Sequence, residues 1–367
     1  MTWNYSQPVE IILQSGIMNQ IDDFLTQRGF TKGILVCDEF FVTNGQAKTS
    51  KNLIAIFSDI QPNPTLENAQ DCACAIQACG AEFVLAFGGG SVLDCAKIAA
   101  ALAKTGQTAA RVHSGEESLK GLSLPVIAVP TTSGTGSEVT PVSVLTDTSL
   151  GLKSSVVHPC LFPKLAIIDP ELTISMPPAL TAITGLDALA HALEGFWSIN
   201  NQPICDALSL AACRKIFQYL PIAFSNGSDL RARTEMCEAS VLAGLAFALP
   251  RTAGSHACSY TFTTEYGISH GEACAFTLAA FTRINAAAHD GRLNTFAEQL
   301  GFSNANEMAY RIDEIKKEMG MIMTLGQLGI ARDDIPELVK KSKHPNLLNN
   351  PVEMTDEKLT ALYESLL

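Results

Sequence analysis

Asp187 and His191 stand four residues apart in "TGLDALAHALEGFWS" (184–198), among Ala, Leu and Gly. Helix positions i and i+4 share a face, so a mostly apolar helix here aims a carboxylate and an imidazole at one spot. Such a pair can hydrogen-bond within itself or bind one cation. Two further histidines, in "GSHACSYTFTTEYGISHGEACAF", favour the cation. They are His256 and His270, in a chain with seven His. Gly267 and Gly271 bracket His270 and predict a break between helices, where a side chain can be aimed. Three imidazoles and a carboxylate suit a borderline divalent ion such as Fe2+ or Zn2+. Four protein ligands normally close a tetrahedral zinc site, whereas catalysis needs an open position. An ion that accepts a fifth or sixth ligand, such as Fe2+, meets that need, and zinc meets it by becoming five-coordinate. His113, His158 and His289 lie in loop-like or surface-like contexts and are given no role.

Two loops could carry a second kind of chemistry. "FVLAFGGGSVLDCAKIAAALA" reads as strand, glycine loop, helix. Gly88, Gly89 and Gly90 permit close approach of a ligand to the backbone. Ser91 and Asp94 fit an S-x-x-D capping box. The helix then turns its free amides and positive dipole end toward the loop, which suits an anion such as a pyrophosphate. The loop is not a GxGxxG fingerprint and could be purely structural. A second loop, in "VIAVPTTSGTGSEVTPVSVLTD", places Thr131, Thr132, Ser133, Gly134, Thr135, Gly136 and Ser137 after another apolar strand. These residues make poor core and good hydrogen-bonding lining. Asp38 ends the strand of "GILVCDEF", placed either to bind an adenosine ribose and repel a 2′-phosphate or to cap a turn.

The elements that must position these residues fall into two kinds. Up to about residue 178, short apolar runs ("GILVCDEF", "EFVLAFGG", "PVIAVPTT", "KLAIIDP") alternate with helix-like stretches such as 66–79 and 91–104. That alternation predicts a parallel sheet with helices on both faces and ligands beyond the carboxyl ends of the strands. After "SMPPAL" the strand signals stop. Helices are expected over 181–197, 203–218, 229–249, 271–289, 293–300, 306–317, 322–328 and 356–366. Pro177-Pro178 marks the boundary. The expectation is an α/β dinucleotide-binding domain over 1–178 and an all-α domain over 179–367.

Composition agrees with a globular chain. Of its 367 residues 47% are hydrophobic and 17% charged, enough for two cores. A net charge of −12 counts against nucleic acid or an anionic membrane surface as the main partner. No signal peptide and no apolar run of membrane-spanning length is read. Eleven Cys, without paired C-x-x-C spacing, read as free thiols of a reducing cytoplasm.

The chain resembles the iron-containing (group III) alcohol dehydrogenase family nearly end to end. The resemblance rests on "PNPTLEN" (62–68), "GGGSVLDCAK" (88–97), "PTTSGTGSEVT" (130–140), "AIIDPELTISMPP" (166–178), "GLDALAHALE" (185–194), the His256 and His270 pair and the tail "NNPVEMTDEKLTALYESLL". It implies the dehydroquinate synthase-like architecture, a cleft between the domains, and a homodimer. It implies Asp187, His191, His256 and His270 as metal ligands. On the cofactor side it implies Asn63, Gly88, Gly89, Gly90, Ser91, Asp94, Thr131, Thr132, Ser137 and Lys153, with Asp38 favouring NAD over NADP. The ion would be Fe2+, with Zn2+ the alternative, acting as a Lewis acid while hydride passes between the carbinol carbon and nicotinamide C4.

Two departures from the family are informative. Many members carry a further His four residues after the third ligand; here that position is Tyr260, so a tyrosine hydroxyl, a ribose hydroxyl or water would move the proton. Where members often have an apolar run, this chain has "ALPRTAGSH". Arg251, about one and a half helical turns before His256, is either a capping residue or a reader of an anionic substrate tail. The segment around His256 and His270 also resembles the phosphonoacetaldehyde reductases of the family. A small alcohol or aldehyde, with or without such a tail, is therefore the expected substrate. Two other readings compete: a dehydroquinate synthase-like lyase, against which the paucity of basic residues between Asp187 and His270 counts, and a catalytically silent metal- or nucleotide-binding protein.

Overall fold

Apolar runs closed by Gly, Pro or Asp form the middle of one parallel sheet in the computed structural model, which describes residues 3–45, 47, 50–288 and 290–367. His289 lies outside the described residues. The strands are β1 (Glu10–Leu13), β2 (Gly33–Cys37), β3 (Leu53–Phe57), β4 (Phe83–Gly88), β5 (Val126–Pro130), β6 (Val142–Asp147), β7 (Leu152–Val157) and β8 (Leu165–Ile168). Six of them make a sheet in the order β1-β8-β5-β4-β2-β3, with every pairing parallel. β6 and β7 form a separate antiparallel hairpin.

Every residue of β2, β4 and β5 is buried, as expected of strands covered on both faces. Alternate residues feed two cores. Ile34, Val36, Val84 and Ala86 join one, and Leu35, Cys37, Leu85 and Phe87 join the other. The first core is closed by α3 (Leu66–Cys79) and α4 (Gly90–Thr105), the second by α1 (Ile21–Gln27). Two short helices, α2 (Glu39–Thr43) and α5 (Ala109–His113), complete this α/β unit. It comprises Ser6–Thr132 and Gly136–Ile174.

The helix expected over 66–79 has those bounds because its ends are written into the sequence. Thr65 and Asn68 form a reciprocal capping box, and Gly80 closes it in the left-handed conformation, φ 64°. The strands without a place in the sequence reading are β1, β3 and the hairpin. β3 is an edge strand whose residues alternate between partly buried and exposed, a weaker signal than a continuous apolar run.

Ser175–Leu367, with residues 3–5 and Ser133–Thr135, forms a second, helical unit. Its helices are α6 (Pro178–Trp197), α7 (Pro203–Ser225), α8 (Leu230–Phe247), α9 (Gly254–Tyr266), α10 (His270–Asn285), α11 (Arg292–Gln299), α12 (Ala305–Glu318), α13 (Ile335–Lys341) and α14 (Asp356–Glu364). Pro178 sits at the first helical position of α6, where its missing N–H costs nothing. α6 is apolar nearly all round and is buried nearly along its whole length, packed by α7, α8, α9 and α10. The helix expected over 322–328 is instead a 3-10 turn, Leu325–Leu328, held between the Thr324/Gln327 capping box and Gly329. No helix among the described residues is long and apolar enough to cross a membrane.

α10 begins against α6 at Gly271. A Cβ there would lie 2.5 Å from the Ile183 carbonyl oxygen, backbone of a buried helix that cannot yield. We expect Gly271→Ala to lower stability by about 1–3 kcal/mol, the usual cost of overpacking. Chemical denaturation measures it, and an unchanged midpoint would show that the α6–α10 contact gives way.

Candidate functional site

α6 turns Asp187, His191 and Glu194, at positions i, i+4 and i+7, to one side. His256 comes from the first turn of α9, and His270 is the first residue of α10. Gly267, φ 67°, ends α9 and makes the break in which His270 is aimed. Of the four residues expected as ligands, Asp187, His256 and His270 offer ligand atoms within 4.8 Å of one another, and His191 lies against His256 and Asp187. His256 Nε2 lies 3.0 Å from His191 Nε2 and 3.7 Å from Asp187 Oδ1. His191 Nδ1 is 3.9 Å from Asp187 Oδ2, and the His256 and His270 rings are centred 5.5 Å apart. Phe247 of α8 stacks on His191 at 4.2 Å, holding the ring flat.

Glu194 had no role in the sequence reading, yet it organises the site. Fully buried, it accepts hydrogen bonds from the backbone N–H of Ala253 (2.9 Å), Ser255 (2.5 Å) and His256 (3.3 Å). Its Oε2 lies 2.6 Å from His256 Nδ1. That bond places the Nδ1 proton toward the carboxylate and leaves Nε2 facing His191 and Asp187. A carboxylate behind a metal-binding imidazole acts in this way. The i, i+4, i+7 spacing on α6 was the signal that could have found it.

The donor set fits a divalent ion. Two imidazole nitrogens 3.0 Å apart can share an N–H···N hydrogen bond or a metal ion. Asp187 and Glu194 are both buried against imidazoles, and buried carboxylates require positive charge nearby. Burial, helped by His256, drives the His191 pKa well below its ordinary value. His256 goes the other way. Burial opposes its charge, but Cys274 and Glu194 outweigh burial and raise its pKa well above the ordinary value. A hydrogen bond with the Gly134 backbone partly offsets that lowering of the His191 pKa.

Three further side chains frame the site. Cys274, one turn after His270 on α10, has its Sγ 3.8 Å from His270 Nε2. Ligand atoms of Asp187, His256, His270 and Cys274 all lie within 4.8 Å of one another. Tyr260, one turn beyond His256, packs its ring 6.2 Å from that of His270. It also lies 4.5 Å from the ring of His344, the one histidine that the sequence reading did not consider. Nothing near His344 in sequence signals this approach, which comes from long-range packing of the turn Pro345–Asn349 on α9.

Arg251 does not lie on a helix turn before His256, as the spacing suggested. It occupies the link between α8 and α9 with a left-handed backbone, φ 71°. Only one other non-glycine residue among the described ones, Asn63, has a positive φ. Asn346 Nδ2 and Asn349 Nδ2 clasp this link through Thr252, each at 2.8 Å. Burial lowers the Arg251 pKa, and Tyr260 partly offsets that. A desolvated guanidinium held in a strained backbone is an expensive arrangement without a ligand to repay it.

The α/β unit gathers the other expected residues. Gly89 is the N-cap of α4, and Thr132 Oγ1 would stand 3.6 Å from a Cβ there. A Cβ on Gly88 would come within 2.6 Å of Val92 and 3.0 Å of Asp38 Oδ2, so glycine is required and Asp38 lies beside the loop. Asp38 precedes α2 but its side chain caps nothing, and burial raises its pKa to about 6. Thr131 N–H bonds the Gly88 carbonyl at 3.1 Å. Ser91 Oγ accepts from Asn63 N–H at 3.2 Å, and Lys153 Nζ donates to Asn63 Oδ1 at 2.8 Å. Three distant segments thus converge.

The capping box expected of Ser91 and Asp94 is absent; no side chain caps α4. Asp94 instead accepts from Ser137 Oγ (2.5 Å) and Val144 N–H (2.9 Å) and pairs with Lys97 (3.2 Å). Fully buried Lys97 also donates to the Ser137 carbonyl (3.0 Å) and to the carbonyl of Val142. Asp94, Lys97 and Ser137 therefore lash the second loop and the β6–β7 hairpin to α4, because a buried ammonium needs those oxygens.

The model of iron-containing alcohol dehydrogenases matches residues 8–170, and that of the C-terminal part of the same family matches 181–367. The chain is similar to long-chain-alcohol dehydrogenase 1 of Geobacillus thermodenitrificans, 34% identical over 97% of this chain and 87% of the relative. It is also similar to the sulfoacetaldehyde reductase of Bilophila wadsworthia, 33% identical over 84% and 83%. The solved sulfoacetaldehyde reductase of Bifidobacterium kashiwanohense, in complex with NAD+, is 46% identical. It superposes with a TM-score of 0.96 over 100% of this chain and 99% of that one. With both halves matched by its family models, and a relative 34% identical over 97% of its length, the chain belongs to the iron-containing alcohol dehydrogenase family.

Proposed function

We propose that this protein is an NAD(H)-dependent reductase of a small aldehyde that carries an anionic tail, a sulfonate or phosphonate, working through one divalent ion. The observation that carries the reading is that Asp187, His256 and His270 offer ligand atoms within 4.8 Å of one another, with His191 against His256 and Glu194 orienting His256. These four residues would hold the ion, iron or alternatively zinc, which when bound supplies Lewis acidity at the substrate oxygen. The division of labour follows the sequence halves, 1–178 for the dinucleotide and 179–367 for the metal and substrate. The reading extends to a homodimer, from the family resemblance, and to the cytoplasm, from the free-thiol reading of the cysteines.

The chain's own residues do the rest. Gly88, Gly89, Gly90 and Ser91 present the α4 N-terminus to the pyrophosphate. Asp38 takes the adenosine ribose, and Thr131, Thr132, Asn63 and Lys153 line the nicotinamide side. Asp94 and Ser137 position that wall rather than cap the helix. Tyr260 holds the proton that the alcohol oxygen needs, since burial raises its pKa and keeps the phenol protonated. Arg251 takes the anionic tail in a bidentate grip. The similarity to two sulfoacetaldehyde reductases supports that choice of substrate class.

A panel of sulfoacetaldehyde, phosphonoacetaldehyde and propanal, assayed with NADH after loading with Fe2+ or Zn2+, tests the whole reading; absence of NADH consumption with every aldehyde would refute it. His256→Ala or His270→Ala should lower metal content and abolish turnover while NADH binding survives. A metal-poor variant that keeps full activity would remove these residues from the site.

Arg251→Ala should raise KM for the anionic aldehydes at least about tenfold while changing KM for propanal little, as loss of a charge-assisted contact requires. Equal effects on both would make Arg251 structural.

Asp38 gives a pH signature. Its charge is present above its pKa of about 6 and lost below it. Repulsion of a 2′-phosphate is therefore complete well above pH 6, and the preference for NADH over NADPH should narrow as pH falls through that value. Asp38→Gly should show the narrowed preference at every pH. A wild-type preference that is flat with pH, or unaltered in the variant, would take Asp38 off the ribose.

A further inference from the structure

We infer that Cys274 is a protein ligand of the same cation, beside Asp187, His256 and His270. The inference rests on the metal reading proposed above and concerns a residue outside that ligand set. Cys274 follows His270 by one turn of α10, so the helix itself turns both side chains to the same place. The Sγ lies 3.8 Å from His270 Nε2. Two ligands on one tetrahedral ion, at bond lengths of 2.0–2.3 Å, stand roughly 3.4–3.8 Å apart. Asp187, His256, His270 and Cys274 offer ligand atoms that all lie within 4.8 Å of one another. No other group of three or more such side chains is found among the described residues. The other ten cysteines lie outside any such cluster.

A buried thiol that served only as a small apolar side chain would face apolar neighbours. Cys274 instead faces imidazoles and a carboxylate. On binding a divalent ion, the thiol proton passes to solvent and the sulfur joins the ion as thiolate, with no change in oxidation state. A soft sulfur in an otherwise nitrogen and oxygen set raises affinity for Zn2+ and Co2+ relative to a hard-ligand site. The site is then mixed N/O/S, and zinc competes with iron more strongly than the three imidazoles and one carboxylate alone would allow.

Cobalt reads this directly. The full-length protein, stripped of metal and titrated with Co2+, should develop visible d–d bands together with an intense near-ultraviolet sulfur-to-cobalt charge-transfer band. Cys274→Ser should keep the d–d bands, lose the charge-transfer band and weaken Co2+ and Zn2+ binding on the order of tenfold or more. Far-ultraviolet circular dichroism and NADH binding check that the variant is folded, and Cys274→Ala repeats the measurement if the serine variant is not. Wild-type d–d bands without charge transfer would overturn the inference and leave the proposed function standing. A charge-transfer band that persists in the folded variant would assign it to another cysteine. Failure of the wild-type protein to take up Co2+ at all would overturn both this inference and the metal reading beneath it.

Discussion

The bond between Glu194 and His256 Nδ1, 2.6 Å long and fully buried, is the contact on which the site depends. One carboxylate fixes the His256 tautomer, anchors three amides at the start of α9 and thereby sets where His256 Nε2 meets His191 and Asp187. Its neighbours are consistent with that priority. Phe247 stacks on His191, and Gly271 allows α10 to bring His270 against α6. The polar groups buried here form a donor set that a divalent cation would satisfy, which links the chemistry of the site to its structure.

The α/β unit has an analogous centre. Lys97, without solvent exposure, is satisfied by Asp94, Ser137 and nearby carbonyls. Here the buried charge shapes a loop rather than binding a ligand. The consequence is a fixed wall beside the α4 N-terminus, with Asn63, Ser91 and Lys153 tied to one another on the same unit. Asn63 holds a left-handed backbone there, as Arg251 does in the helical unit. Strain of that kind is retained where neighbouring contacts over-determine it.

The sequence made the architecture legible where signals were local and strong. The buried strands β2, β4, β5 and β8 are continuous apolar runs, and α3 carries its own caps. Pro177 and Pro178 sit at the start of α6, where the strand signals stop. β1 and β3, at the sheet edges, and the half-exposed hairpin lack that continuity. In the candidate site, Asp187 and His191 stood out by helical spacing, and His256 and His270 by residue type and flanking glycines. Glu194 shares that helical spacing, which signals its face, while its bond to His256 comes from the distant α9 segment. His344 and the clasp on Thr252 depend on packing between segments about ninety residues apart, which no local pattern encodes. Asp94 misled because S-x-x-D matches a cap, while tertiary demand from Lys97 claimed its carboxylate.

Placing Asp187, His191 and Glu194 on one uninterrupted helix has an evolutionary consequence. An α-helix turns by about 100° per residue. A single inserted or deleted residue between positions 187 and 194 would swing one group of the trio away from the others, and nothing along α6 bulges or kinks to absorb the error. Point substitutions can drift through the apolar faces of this helix, but its length between those positions is constrained, so insertions and deletions belong in the connecting loops.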